Sequence, residues 1–234
     1  MKKLQTIVMA AALGFAATAF GAEIDGSIPG TGTLINSNTS GSGFSSVNVS
    51  APTYNGRAGE FDGYFYPGAF SADSFFRFFC IEIAQYATGA ATYTATIWNN
   101  SDLQKLFDIA FPNQAAGDYY NGGNTNFGVF GSSAASAAFQ LAVWEIVFDA
   151  GNRNLTGGSF HVTAGSPLAI TTMAQGWLDS LNTSTGWAKW TLYRFSNDRY
   201  QDYVSATYKA PEPGSLALGA LALAALAGLK RRRK

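Results

Sequence analysis

The chain has 234 residues, 15 of them basic and 15 acidic, for a formal net charge of zero. A single cysteine and a single histidine exclude an internal disulfide framework, a Cys-rich zinc site and a His cluster for a metal. Apolar residues reach 47% and charged residues only 13%, which suits a buried core and excludes both a disordered tail and a basic nucleic-acid binder.

The zero is the sum of unlike parts. Lys2 and Lys3 open the chain, and Lys230, Arg231, Arg232, Arg233 and Lys234 close it. Between Glu23 and Glu212 lie eight basic and all fifteen acidic residues, a net of −7. An acidic, aromatic, Gly-rich body therefore sits between two basic, apolar ends.

In chain order, Met-Lys-Lys followed by an apolar run from Ile7 to Phe20 has the n-region and h-region of a secretory signal peptide over residues 1–22. Ala17-Thr18-Ala19 fits the small-x-small cleavage rule, and the cut falls between 19 and 22. An uncleaved anchor is the other reading. The body, 23–209, is expected to be one domain. From Glu23 to about Ser50 it is rich in Gly, Ser, Asn and Thr, and reads as loop or irregular strands. Phe61–Tyr66, Ser74–Tyr86 and Thr92–Trp98 read as strands.

Ser101-Asp102-Leu103-Gln104 has capping-box spacing before a helix that Pro112 ends. A Gly/Asn loop over roughly 117–131 leads to a second helix from about Ser133 to Phe148, stopped by Gly151. Ser166-Pro167 predicts the N-cap and first residue of a third helix through Met173, Trp177 and Leu181. Trp187–Phe195 and Tyr200–Tyr208 read as strands. Many strands interrupted by two or three helices predict an α+β, mostly β fold.

The chain ends with Pro211-Glu212-Pro213, then 16 uncharged residues from Gly214 to Leu229, then five basic residues. As a helix, 16 residues span ~24 Å, short of a ~30 Å hydrocarbon core. Snorkelling of the basic tail and local thinning are needed for 214–229 to cross as a transmembrane helix. The positive-inside rule then leaves the tail in the cytoplasm. Residues 210–234 resemble the PEP-CTERM sorting signal of Gram-negative bacteria. The resemblance implies processing by an exosortase, a membrane transpeptidase that cuts near Pro-Glu-Pro, and export to the cell surface or extracellular matrix. It implies a precursor anchored in the inner membrane by its C-terminal helix, with an extracytoplasmic body. It says nothing about what the body does.

Conventional catalysis has little support in the body, which reads as a non-enzyme without a cofactor. His161 stands in a strand-like context without a nucleophile elbow, and reads as a surface or core residue. Glu145 and Asp149, four apart, read as a solvated helix edge rather than as a carboxylate pair across a sugar. Thr92, Thr94 and Thr96 share one strand face, but one strand is not the flat array that ice binding needs.

Phe79-Cys80-Ile81-Glu82 and Phe139-Gln140-Leu141-Ala142-Val143-Trp144 stand out together. An unpaired thiol is unusual in an exported protein, because exported compartments oxidise. Such a thiol is buried, paired between chains or chemically consumed. Gln140, flanked by apolar residues, needs a polar partner. The two segments resemble the thioester domains of Gram-positive surface adhesins, over about 60–185. There an aromatic-Cys-apolar-acidic strand precedes an apolar-Gln-x-Ala-apolar-Trp helix. Cys80 falls on the cysteine and Gln140 on the glutamine, with Phe79, Ala142 and Trp144 on the flanks. Glu82 departs from the commoner Asp.

The resemblance implies an internal thioester, formed by the Cys80 thiol on the Gln140 amide with loss of ammonia. It would acylate an amine or hydroxyl on a surface target or matrix polysaccharide. The alternative is a non-covalent structural or carbohydrate-binding matrix protein, with Cys80 simply buried beside a satisfied Gln140. Nucleic acid is not an expected partner of a body at −7.

Overall fold

The computed structural model describes residues 30–37, 43–66, 75–111, 132–184 and 190–208. The expected signal peptide, the Gly/Asn loop at 117–131 and the whole C-terminal segment lie outside these residues.

Nine strands and three helices are described. The strands are β1 (Gly30–Asn36), β2 (Phe44–Ala51), β3 (Thr53–Gly59), β4 (Phe61–Tyr66), β5 (Phe75–Cys80), β6 (Ala90–Ile97), β7 (His161–Val162), β8 (Trp190–Ser196) and β9 (Tyr203–Tyr208). The helices are α1 (Ser101–Ala110), α2 (Ser133–Phe148) and α3 (Leu168–Ser180). Six strands close into an antiparallel barrel in the order β1-β4-β5-β9-β8-β6, and β3-β2-β7 form a separate sheet. The mixed α+β character is as expected.

The first two strands fall where composition reads as loop or irregular strands. Their apolar residues are few but fall on alternate, inward positions: Leu34 in β1, and Val47 and Val49 in β2, are buried. A strand needs one apolar face, not an apolar run. β1 closes the barrel by pairing with both β4 and β6. The expected strand 74–86 is shorter. It ends at Cys80, and Glu82 lies in the irregular segment beyond.

Two caps differ from the sequence reading. The N-cap of α1 is Asn100, whose Oδ1 accepts the N–H groups of Asp102 and Leu103 at 3.1 and 3.0 Å. Ser101 is already helical. The third helix starts at Leu168, and Ser166 caps nothing there. Its hydroxyl accepts the Asn48 N–H at 2.7 Å and lies 3.0 Å from the Asn48 carbonyl, tying the start of α3 to β2.

Helix α2 is the centre of the molecule. Twelve of its sixteen residues are buried, as expected of a helix apolar all round that has structure on every side. It contacts β2, β3, β5, α1 and α3. Phe139 anchors it, with ring centroids 4.6 Å from Phe79, 5.0 Å from Phe107 and 5.4 Å from Phe111.

One expectation is corrected. Among the described residues no helix is long and apolar enough to cross a membrane. The span expected at 214–229 lies outside them, and its 16 residues are fewer than the ~20 a crossing helix needs. The flanking transmembrane helix, the inner membrane as a partner and the membrane-anchored precursor are accordingly withdrawn from the account of this chain.

Candidate functional site

The β4–β5 ladder runs from Tyr64↔Phe75 to Phe61↔Phe78. Two residues further, the same register would set Gly59 opposite Cys80. Gly59 is instead paired with Phe44 in the second sheet. The barrel wall therefore opens at Cys80, leaving buried backbone groups on that side to be satisfied by something other than a strand.

Helix α2 supplies the partners. The Cys80 N–H donates to Gln140 Oε1 at 2.9 Å, and Gln140 Nε2 donates to the Cys80 carbonyl at 2.7 Å. The side-chain amide has one acceptor and one donor side, like a peptide group, and here it takes a neighbouring strand's place. One turn earlier on the same face, Ser136 Oγ accepts the Glu60 N–H at 2.6 Å. Cys80, Gln140 and Ser136 are all buried. The two expected site residues thus meet, 60 positions apart in sequence. Ser136 is not singled out by the sequence reading, although two polar residues at helical spacing in an apolar helix are a signal for it.

The flanking residues are placed as follows. Phe79 points to Phe139 on the helix side. Ala142 is fully buried. Trp144 stands edge-on to Tyr54, with centroids 5.4 Å apart. The carbonyl of Glu82 accepts from Gln201 Nε2 at 2.7 Å. Pro211, Glu212 and Pro213 lie outside the described residues.

A cavity of about 500 Å3 opens onto Cys80 and Gln140, with Tyr54, Arg57, Gln85 and Tyr86 among its walls. Burial pushes the Cys80 thiol well above its ordinary pKa, and the Glu82 charge adds to this. A free thiolate is therefore disfavoured at Cys80.

Other candidates are not drawn together. His161 sits on β7, its Nδ1 3.1 Å from the Gly158 carbonyl, and does not line the cavity. Among the described residues, no group of three or more His, Cys, Asp or Glu side chains is arranged to hold a metal ion. The solvated edge expected at Glu145 and Asp149 is corrected. Glu145 is a buried residue of α2, where burial and then the Asp149 charge push its carboxyl up to about 7. Asp149 accepts the Ser159 N–H at 2.8 Å, holding the loop after α2. The Thr face of β6 lies beside a second strand, with Thr94 opposite Thr31 and Thr92 opposite Thr33. Both belong to a closed, curved barrel rather than a flat array.

The C-terminal residues are decided by comparison with known families. Residues 209–234 match the PEP-CTERM protein-sorting motif. The PEP-CTERM segment supports export and sorting by an exosortase. It covers the last 26 residues and leaves the barrel unassigned. No curated protein and no solved structure matches the chain. The likeness of the body to thioester domains therefore rests on the two motifs around Cys80 and Gln140.

Proposed function

We propose that this chain is an exported surface or matrix protein whose barrel carries an internal Cys80–Gln140 thioester for covalent attachment to a partner. One observation carries the reading: the Gln140 amide lies on the Cys80 backbone at the floor of an open cavity. Those two hydrogen bonds hold the Gln140 amide against the Cys80 backbone, which supports a step in which proximity is the main contribution a protein can make.

In that step Cys80 Sγ attacks Gln140 Cδ. The C–N bond breaks, the thiol proton passes to Nε2, and ammonia leaves. Atoms and charge balance without a further reactant. Phe79, Phe139 and Trp144 are buried, and the cavity is the opening through which an acceptor would reach the bond. The acyl group then passes to an amine or hydroxyl of the target, and Cys80 regains its thiol. Each chain reacts once, so the protein is a covalent adhesin and not an enzyme. The PEP-CTERM segment supplies the route to the surface.

A second reading is favoured by the same hydrogen bonds. With both Cys80 backbone groups satisfied by an intact amide, Gln140 already has a complete structural role. The protein is then a non-covalent matrix module, and Cys80 a buried thiol. Methylamine separates the two readings. A thioester takes it up at Gln140 and releases an alkylatable Cys80. An intact amide leaves both residues unchanged.

A further inference from the structure

The walls of the cavity carry a signal about its occupant. Among the described residues that line it there is no Asp, Glu or His, and Arg57 is the only charged group. The rest are aromatic rings, small apolar groups and neutral hydroxyls or amides, including Thr53, Asn55, Gln85 and Gln201. In a body at −7 this is a local exception.

We propose that the acceptor of the Cys80–Gln140 acyl group is a neutral carbohydrate hydroxyl rather than a lysine amine. This acceptor presupposes the thioester. A lysine side chain is an ammonium with an ordinary pKa of about 10.4. It would enter a cavity with no carboxylate to pair it and with the Arg57 guanidinium opposing it. It must also shed a proton before it can attack, and no base lines the walls. Desolvating an unpaired charge is costly. A sugar enters uncharged, and its hydroxyl gives up its proton only as the sulfur leaves.

The cavity also offers what a sugar uses. Gln85 is one of the lining residues, and its Oε1 is buried without a hydrogen-bond partner. The Tyr54 ring is fixed at two points, edge-on against Trp144 and through its hydroxyl to the Arg57 carbonyl at 2.8 Å. Tyr86 stands at the rim, 88% exposed. Rigid and exposed aromatic faces are suited to the C–H faces of a pyranose. The volume, about 500 Å3, lies within the roughly 300–1,000 Å3 of small-molecule sites.

The transfer balances. The sugar oxygen bonds to Gln140 Cδ, the C–S bond breaks, and the hydroxyl proton ends on Cys80 Sγ. The departing sulfur is held among apolar groups and near the Glu82 charge, so it takes that proton readily.

The test uses the exported protein with its ammonia loss first checked by intact mass. It is incubated separately with maltohexaose and with an N-acetylated, lysine-containing hexapeptide at equal concentration. Adduct mass and newly alkylatable Cys80 are followed over time. A base-labile sugar ester on Gln140, forming about tenfold or more faster than the peptide amide, is expected. Arg57→Glu, at an exposed position, should move the preference toward the peptide. Tyr86→Ala should slow sugar labelling by a larger factor than methylamine labelling. Peptide adducts without sugar adducts overturn the sugar acceptor and leave the thioester standing. An exported protein with no ammonia loss overturns both.

Discussion

Gln140 does at one point what a strand does along its length. It satisfies the N–H and C=O of Cys80 where β4 no longer runs beside β5. Gln140→Ala leaves both groups buried and unpaired, at about 1–3 kcal/mol each, so denaturant unfolding should show a loss of several kcal/mol. Cys80→Ala keeps these bonds and removes only the sulfur. It should still fold, unfolding more easily than a cross-linked parent because the 60-residue loop is no longer closed, while losing all methylamine uptake. The contrast matters because loss of labelling in the Gln140 variant alone could reflect misfolding.

The buried carboxyls make a separate residue-scale prediction. Burial outweighs the attraction of Arg77, 3.1 Å away, and pushes Glu60 up to about 7; Glu145 is pushed up to about 7 as well. A folded-state pKa above the unfolded value of 4.5 means that the folded state holds the proton more tightly. The stabilisation is therefore present below about 4.5 and is lost as pH rises through about 7. Melting temperature should fall across that window, and Glu60→Gln should flatten the fall. A melting temperature that rises through the same window contradicts the assignment.

At the scale of elements, each helix was legible for a different reason and to a different depth. The apolar run in α2 marks a helix, and its lack of a polar face marks it as central. The run does not reveal that Ser136 and Gln140 face the seam of the barrel, because that depends on where β4 begins. The start of α1 was misread by one residue. Asn100 and Ser101 are both good caps, and only the backbone decides which is extended. Asn100→Ala should cost about 1 kcal/mol, and Ser101→Ala much less, in thermal unfolding. Phe139→Ala removes the ring that Phe79, Phe107 and Phe111 surround. It should cost about 3–5 kcal/mol. The first three strands carry at most a weak signal because Thr, Ser, Asn and Gly fill most of their positions, and pairing with β4, β6 and β7 and between β2 and β3 organises them. A strand such as β3, Thr-Tyr-Asn-Gly-Arg-Ala-Gly, carries no alternation to find.

At the scale of the whole molecule, the motifs told more than the topology. A mostly β body with three helices was foreseeable from patterning, but closure of β1 against β6 was not, since it joins residues some sixty positions apart. Closure also depends on close approach at Gly63, where a Cβ would run into the Ile35 carbonyl. Cys80 and Gln140 were found by their flanks rather than by any geometry, and the fold places them in contact. The membrane span expected from the apolar run, the basic tail and the sorting-signal resemblance is not retained. The central claim is chemical, and one measurement meets it directly: the intact mass of the exported protein before and after methylamine. The account predicts a polypeptide lighter than its processed sequence by one ammonia, which then gains one methylamine at Gln140 as Cys80 becomes alkylatable. A mass equal to the processed sequence, with methylamine changing nothing, would contradict it.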